Sequence, residues 1–343
     1  MRQVSRRSVL SGLGASAVLA AVGGATFRAN AQTAALRFFR IATGPTESSL
    51  FAIGTLLGNV VSSPPGAREC DRGGNCGVPG LIAVTQSTAG ALANVELIGR
   101  KQLESGLCQA DIAHWAFHGT GPYRRNGAVR NLRAIANLYP ENLHIVVRRD
   151  AGIADLRRLK GKVVAMGEQD SGTLASARAI LQATGLNERD VRPQYLKPAQ
   201  AADALRDGAI DAVFEMAGAP AATITELAAK TEVALLPIDD ATLSRLRGAN
   251  PYFATTTIPA ETYKGIGAVQ SISVGVLWLV GAEVDEQIVN GLTRALFHPN
   301  NRRVLDAGHP FGRRIRQETA LDGVALQLHP GAALYYLEAG LIN

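Results

Sequence analysis

The chain has 343 residues, enough for one large or two ordinary domains around a sizeable apolar core. Its composition, 47% apolar with few aromatic residues, is typical of an α/β protein. The calculated pI of 9.4 suggests a nucleic-acid partner, but residues 1–31 contain four arginines and no acid, so the formal charge falls from +6 to +2 without them. No basic stripe remains, and the composition therefore argues against a nucleic-acid partner.

The first 31 residues have the features of an export signal. Residues 5–8, SRRS, contain the paired arginines of the twin-arginine route, a weakly apolar stretch runs over 9–25, and the sequence Ala-Asn-Ala at 29–31 suits cleavage. The stretch is too short and glycine-rich for a typical spanning helix. We predict a signal peptide over 1–31, cleaved after about Ala31, contact with the twin-arginine export machinery and a periplasmic location. An uncleaved anchor is the alternative.

Downstream of that segment, β-branched runs alternate with amphipathic helical segments, which predicts an α/β fold with largely parallel strands. Helical spacing is clearest over residues 50–60 and over 174–181, the second ending near Gly185. The predicted strands are Leu36–Ala42, Leu81–Thr85, Asp111–Ala116, Leu143–Val147, Lys162–Met166, Ala212–Phe214, Val233–Leu236 and Val274–Val280.

Two stretches rich in Gly, Pro and Asn, near residues 120–142 and 248–267, predict crossovers between two lobes. Lobe I then consists of residues 32–135 and 255–343, and lobe II of residues 136–254. Each lobe is expected to contain a mostly parallel sheet flanked by helices, with a ligand cleft between the lobes.

The three cysteines suit an exported protein. Cys70 and Cys76 bracket the glycine-rich loop CDRGGNC, which predicts a local disulfide, whereas Cys108 lies in an apolar segment and is expected to be free and buried. The alternatives are two unpaired thiols or a zinc site, although two cysteines without a nearby histidine pair leave a zinc ligand set incomplete. We predict no metal and no cofactor.

Four strand-to-helix junctions have one design: ATGPTESS at 42–49, VTQSTAG at 84–90, EQDSGT at 168–173 and EMAGAP at 215–220. Ligands of open α/β sheets bind beyond the carboxyl ends of the strands, where helix N-termini favour an anion. Small residues let a ligand approach the backbone. The alternative is that Thr46, Ser87 and Ser171 only cap helices. No phosphate-binding glycine motif is present.

Catalysis finds little support in the sequence. Ser171 does not lie in a G-x-S-x-G motif. His114 and His118 are four residues apart, but their segment is predicted to begin as a strand, which would not stack them as helical metal ligands. Like them, His144 is expected to be a surface or hydrogen-bonded histidine, and His329 to start a C-terminal packing helix. We therefore predict that the chain is not an enzyme.

Four segments in this order resemble the TAXI family, the extracytoplasmic solute receptors of TRAP-type transporters. They are FFRIATGPTESSLFAIGTLLG, LYPENLHIVVRRDAGIADLRRLKGKVVAMGEQDSGTLASARAIL, IDAVFEMAGAPAATITELA and LHPGAALYYLEAGLI. The resemblance implies a two-lobed periplasmic binding protein fold of the type II kind, closing on a small organic anion such as glutamate or 2-oxoglutarate. It also implies TRAP-type permease subunits as partners.

The resemblance places the ligand against residues of all four junctions: Gly44, Pro45, Thr46, Glu47, Ser48, Gln86, Ser87, Ser171, Gly172, Thr173, Glu215 and Gly218. The chain departs from the family in its first loop. There the charge of Glu47 would repel an anionic ligand unless Glu47 binds an amino group, points away or has its charge offset. A planar guanidinium suits a carboxylate. Candidates by residue type are Arg100, Arg124, Arg125, Arg148 and Arg149.

Two other functions suit the same lobes. One is a receptor that presents its ligand to a membrane sensor kinase. The other is an exported enzyme that uses the same cleft.

Overall fold

The computed structural model describes residues 36–250 and 252–343. The predicted signal peptide at 1–31 lies outside the described residues. The strands within them are β1 (Arg37–Ala42), β2 (Ser62–Ser63), β3 (Val78–Pro79), β4 (Leu81–Gln86), β5 (Ser105–Gln109), β6 (Leu132–Arg148), β7 (Val163–Ala165), β8 (Arg192–Gln194), β9 (Ala212–Ala217), β10 (Val233–Leu235), β11 (Ala254–Ile258) and β12 (Val269–Gly281). The α-helices are α1 (Ser49–Val61), α2 (Ala91–Gly99), α3 (Ala110–His118), α4 (Gly172–Thr184), α5 (Pro198–Arg206), α6 (Ala222–Lys230), α7 (Asp240–Ala249), α8 (Glu286–Phe297), α9 (Arg302–Gly308) and α10 (Pro330–Glu338).

Ten of these strands form one mixed sheet in the order β4-β1-β5-β12-β6-β9-β7-β8, with β10 beside β6 and β11 beside β12. At one end β1 runs parallel to β4 and β5, and at the other β7 runs parallel to β8 and β9. The two long strands β6 and β12 lie between these groups and are antiparallel to their neighbours. The α/β class is confirmed, with a mixed sheet flanked by helices.

Seven of the eight predicted strands coincide with strands of the sheet. The prediction for Asp111–Ala116 is wrong, because these residues lie in α3. The preceding five residues, Ser105–Gln109, form the strand instead, and α3 ends at Gly119 in the left-handed conformation with φ 69°. Short apolar runs suit either element, and here the residues Ile112, Ala113 and Ala116 face the core at helical spacing.

The two helical predictions are confirmed, although the residue that caps α1 is Ser48 and not Thr46. Helix α1 begins after Ser48 and α4 after Ser171, each of whose side chains accepts a hydrogen bond from a backbone N–H of the first turn. Helix α4 stops at Gly185, which adopts φ 86° as its C-cap. On α1, Ile53 and Leu57 are fully buried, and each such side chain contributes about 1.5–3 kcal/mol by leaving water.

The predicted disulfide between Cys70 and Cys76 is present, with the two Cα atoms 4.7 Å apart. Cys108 is buried in β5 and unpaired among the described residues, as predicted. His329 is buried and caps α10, which confirms the predicted C-terminal packing helix. Over the described ranges, no helix is both long and apolar enough to cross a membrane.

Candidate functional site

A cavity of about 500 Å³ lies where the parallel strands of both ends of the sheet finish. Residues after β1, after β4, at the end of β5, after β7 and at the end of β9 all line it. The first residues of α1, α2, α4, α5 and α6 line it as well, so five helix N-termini converge there. This is the position at which open α/β sheets bind their ligands.

In the first predicted loop, Pro45, Thr46, Glu47 and Ser48 line the cavity, whereas Gly44 lies behind them. The Ser48 hydroxyl donates to the Pro45 carbonyl at 2.6 Å and accepts from the Phe51 N–H at 3.3 Å, so it caps α1. A Cβ on Gly44 would lie 2.7 Å from Ser48 Oγ. Gly44 therefore supports the capping residue and does not form the wall.

The structure does not bring Gln86 and Ser87 of the second loop into the cavity, and both are exposed. The Gln86 carbonyl accepts from the N–H of Thr43 at 3.0 Å, and the Ser87 hydroxyl donates to the Gly44 carbonyl at 2.9 Å. These bonds join the loops after β1 and β4 to each other. Ala89 and Gly90 form this part of the wall instead.

In the third loop, Ser171, Gly172 and Thr173 all line the cavity. The Ser171 hydroxyl accepts from the Leu174 N–H at 3.2 Å and donates to a carbonyl, so it acts as an N-cap at the cavity wall. The Thr173 hydroxyl accepts from the Met216 N–H at 3.2 Å. It thereby joins the start of α4 to β9.

In the fourth segment, Glu215 and Gly218 line the cavity. Both carboxyl oxygens of Glu215 are within reach of the Thr223 hydroxyl, which donates at 2.7 and 2.9 Å. A Cβ on Gly218 would overlap the ring of Phe311. This glycine therefore permits the close approach of a ring that reaches the cavity from the C-terminal part of the chain.

Sequence reasoning missed a hydrogen-bonded pair in the cavity wall, Gln109 and Glu141. Gln109 ends β5, Glu141 lies in the middle of β6, and both are buried. The Glu141 carboxyl accepts from Gln109 Nε2 at 2.7 Å, from Ser49 Oγ at 2.8 Å and from the Tyr139 hydroxyl at 3.3 Å. No local motif marks these residues, since they meet only through the order of the strands.

Burial governs the protonation of the two central carboxyls. Burial raises the pKa of Glu141 to about 7, against the lowering effect of its hydrogen bonds, and the charge of Glu215 raises it further. Burial likewise raises the pKa of Glu215 to about 7, although the Thr223 hydroxyl opposes the shift. At neutral pH, each group is therefore divided between its neutral and ionised forms.

The charge of the wall disagrees with the expected anion. Five glutamates line the cavity: Glu47, Glu141, Glu168, Glu215 and Glu226. Among the described residues, none that lines it is a lysine or an arginine, and the five candidate arginines lie elsewhere. Burial raises the pKa of Glu168, and the charge of the exposed Lys197 next to the wall opposes this shift. A carboxylate in this cavity would therefore meet helix N-termini but no cationic side chain.

The remaining wall is largely apolar, with Phe214, Met216 and Phe311 among its members. Phe311 stacks on Tyr139, with ring centroids 5.1 Å apart and planes 5° from parallel. His309 also lines the cavity, and burial lowers its pKa. No pattern in the sequence indicated that residues 309–311 reach the junctions after β1 and β9.

Two histidine arrangements bear on metal binding. Because α3 is a helix, the rings of His114 and His118 lie against each other, with centroids 4.2 Å apart and planes tilted by 39°, which corrects the expectation of a strand. Cys70, Cys76 and His298 form the one group of three potential ligand side chains in the described residues. The disulfide occupies both sulfurs of that group, so it is not a zinc site in the oxidised chain.

Two solved structures are similar to this chain. PhnD1 from Prochlorococcus marinus, solved in complex with methylphosphonate, matches with a TM-score of 0.50 and 10% sequence identity, covering 89% of this chain and 99% of its own. The alkanesulfonate-binding protein SsuA from Xanthomonas axonopodis pv. citri, solved with MOPS, matches with a TM-score of 0.46 and 17% identity, covering 79% and 74%.

The sequence comparison gives the family itself. Residues 41–340 match the NMT1-like family, so the match includes every residue of the cavity wall. The chain belongs to the NMT1-like family, a periplasmic solute-binding protein family of ABC transporters.

Proposed function

We propose that the chain is an extracytoplasmic receptor that captures one small organic solute in this cavity and delivers it to a membrane transporter. The observation that carries the proposal is the cavity itself: about 500 Å³, bounded by strand ends and helix N-termini, in a member of a solute-binding family. A volume of this size suits a small organic ligand.

Binding would be completed by closure of two lobes. We propose lobes with the boundaries expected from the sequence, residues 32–135 with 255–343 and residues 136–254. The cavity wall draws Ser48 and Phe311 from the first set and Glu141, Ser171 and Glu215 from the second. Hinge closure around a ligand would bury the solute between the two sets. A fall in the radius of gyration on adding ligand, measured by small-angle X-ray scattering, tests this closure.

The solute class expected from the resemblance is an amino acid or an oxo- or dicarboxylic acid, with glutamate and 2-oxoglutarate as examples. The capped N-termini of α1 and α4 at the wall support binding of a carboxylate. The predicted residues that line the cavity, among them Thr46, Glu47 and Thr173, would contact the solute. Gln86 and Ser87, which lie outside the wall, would act by joining the loops.

The family points to a permease of the ABC type as the membrane partner. The resemblance to TAXI receptors supports a TRAP-type permease instead. Uptake of a labelled solute into vesicles that contain the cognate permease separates the two. Dependence on ATP supports the ABC assignment, and dependence on an ion gradient without ATP supports the TRAP assignment.

A thermal-shift screen of residues 32–343 against amino acids, oxo-acids, dicarboxylates, amines and neutral sugars tests the receptor function. A ligand present at a hundred times its dissociation constant stabilises the folded chain by about 2.7 kcal/mol, a readily visible shift. Stoichiometric binding without any product supports a receptor. Turnover of the bound solute would instead show an enzyme.

A further inference from the structure

We propose that Gln109, Glu141 and Glu215 form a subsite for the protonated amine of the solute. The inference rests on the proposed receptor function and narrows its ligand. It selects small organic ammonium compounds, amino acids included, and rejects oxo- and dicarboxylic acids that lack an amine.

The first observation is an acceptor without a donor. Gln109 is 3% exposed and lines the cavity. Its Nε2 donates to Glu141, but within the described part of the chain its Oε1 has no hydrogen-bond partner. A buried polar atom left unpaired costs about 1–3 kcal/mol, so native structures usually satisfy such atoms. A hydrogen-bond donor on the solute would satisfy this one.

The second observation is the acceptor capacity of the two carboxyls. An ionised carboxyl accepts about four hydrogen bonds. Glu141 receives three, from Ser49, Tyr139 and Gln109, and only the last of these reaches its Oε2. Glu215 receives one hydroxyl proton, from Thr223, shared between its two oxygens. Both glutamates therefore have acceptor positions left for a donor from the cavity.

The third observation is that all three residues line the cavity and that, with both carboxyls ionised, the unfilled hydrogen-bonding positions of the carboxyls and of Gln109 Oε1 are all acceptors. An ammonium group has three N–H donors, no acceptor and a positive charge, which complements an amide oxygen and two carboxylates. Glu141 and Glu215 lie on the paired strands β6 and β9, both line the cavity, and the charge of Glu215 raises the pKa of Glu141. A cation between them would relieve that repulsion, whereas an anion would add to it.

The surroundings define the rest of the solute. Phe214, Met216 and Phe311 line the same cavity and suit an apolar body, and the ring of Phe311 stacks on Tyr139. The N-termini of α1 and α4 can take a carboxylate when the solute carries one. An amino acid would thus direct its amine to the glutamates and its carboxylate to the helices.

Matched pairs that differ only in the amine test the subsite. The probes are L-leucine with 4-methylpentanoate, L-glutamate with glutarate, 4-aminobutyrate with butyrate, and putrescine with 1,4-butanediol, supplemented by neutral sugars. Thermal shift identifies the members that bind, and calorimetry then measures their affinity for the wild type, Glu141→Gln, Glu215→Gln and the control Glu232→Gln. The control removes an exposed carboxyl that lies outside the cavity wall.

We expect binding by at least one amine and no binding by its counterpart without the amine. Either cavity variant should weaken that binding about tenfold or more, the effect of one charge-assisted hydrogen bond, while the control stays unchanged. The two variants lie on different strands, so one remains informative if the other fails to fold, which circular dichroism monitors.

Two results would contradict the proposals, and they are distinguishable. If the compounds without an amine bind as tightly as their partners, or if the glutamine variants keep or gain affinity, the amine subsite is wrong while the receptor function stands. If no probe, charged or neutral, shifts the melting temperature, the receptor function itself is contradicted.

Discussion

Gln109 Nε2 donates to Glu141 Oε2 at 2.7 Å, which joins the last residue of β5 to the middle of β6 across the intervening strand β12. The bond holds a buried carboxyl at the cavity wall and turns the amide oxygen of Gln109 away from it. Among the described residues, this contact leaves the amide oxygen of Gln109 buried and without a hydrogen-bond partner.

The pH dependence of stability should reveal the buried carboxyls. The pKa of Glu141 is raised from 4.5 to about 7, so between these pH values the folded chain holds a proton that the unfolded chain has lost. Stability therefore falls as pH rises through this window and stays lower above it. Glu141→Gln removes the effect, and its stability relative to wild type should rise by about 3 kcal/mol from pH 4.5 to pH 8.

Urea unfolding of both proteins at several pH values measures this difference. Glu215 and Asp111, whose pKa values burial also raises to about 7, contribute in the same direction to both proteins. His144, whose pKa burial lowers to about 4, contributes in the opposite direction between pH 4 and 6.5. The contributions of Asp111 and His144 cancel in the comparison, and that of Glu215 cancels apart from its electrostatic coupling to Glu141. A constant difference across the range would contradict the assignment to Glu141.

Gly218→Ala should disturb the cavity. Its new Cβ would overlap the Phe311 ring, and overpacking of this kind typically costs about 1–3 kcal/mol. We expect a lower melting temperature and weaker solute binding. The matched control is Gly248→Ala in α7, where a Cβ meets open space and alanine favours the helix, so stability should stay equal or rise. Equal stability of Gly218→Ala and wild type would show that Phe311 moves aside freely.

Thr173→Val should separate the structural and binding roles of this hydroxyl. It removes the acceptor of the Met216 N–H while nearly keeping the shape of the side chain, and an unpaired N–H at this position costs about 1–3 kcal/mol. Thr173→Ser keeps the hydroxyl and should stay close to wild type. Calorimetry with an identified solute completes the test. If Thr173→Val binds the solute as tightly as wild type, the role of Thr173 is limited to joining α4 and β9.

The cysteines should differ in reactivity. Native, oxidised chain should show no thiol that reacts with a thiol reagent, because Cys108 is fully buried and the other two are bridged. Unfolding without reductant should expose one thiol, and unfolding with reductant three. Reduction of the native chain should also lower its melting temperature, since a disulfide typically stabilises by about 2–4 kcal/mol. A second reactive thiol in the oxidised, unfolded chain would rule out the bridge.

The local pattern of the sequence carried much of the fold. Seven strands, the helical segment of α1, both ends of α4 and the disulfide were all predictable, since each depends on neighbouring residues: apolar periodicity, a capping serine or glycine, and two cysteines around a flexible loop. The same local reasoning misplaced α3, because a short apolar run suits a strand as well as a helix. That error also concealed the contact between the His114 and His118 rings.

The sequence by itself determined which loops end strands and begin helices, and three of those four loops supply predicted residues to the cavity wall. Only the tertiary structure decided the chemistry of that wall. It added Gln109, Glu141 and Phe311, left out Gln86 and Ser87, and placed every arginine of the described residues elsewhere. The physical reason is distance along the chain: these contacts follow from the order of strands in the sheet and from burial, which no local pattern of residues encodes.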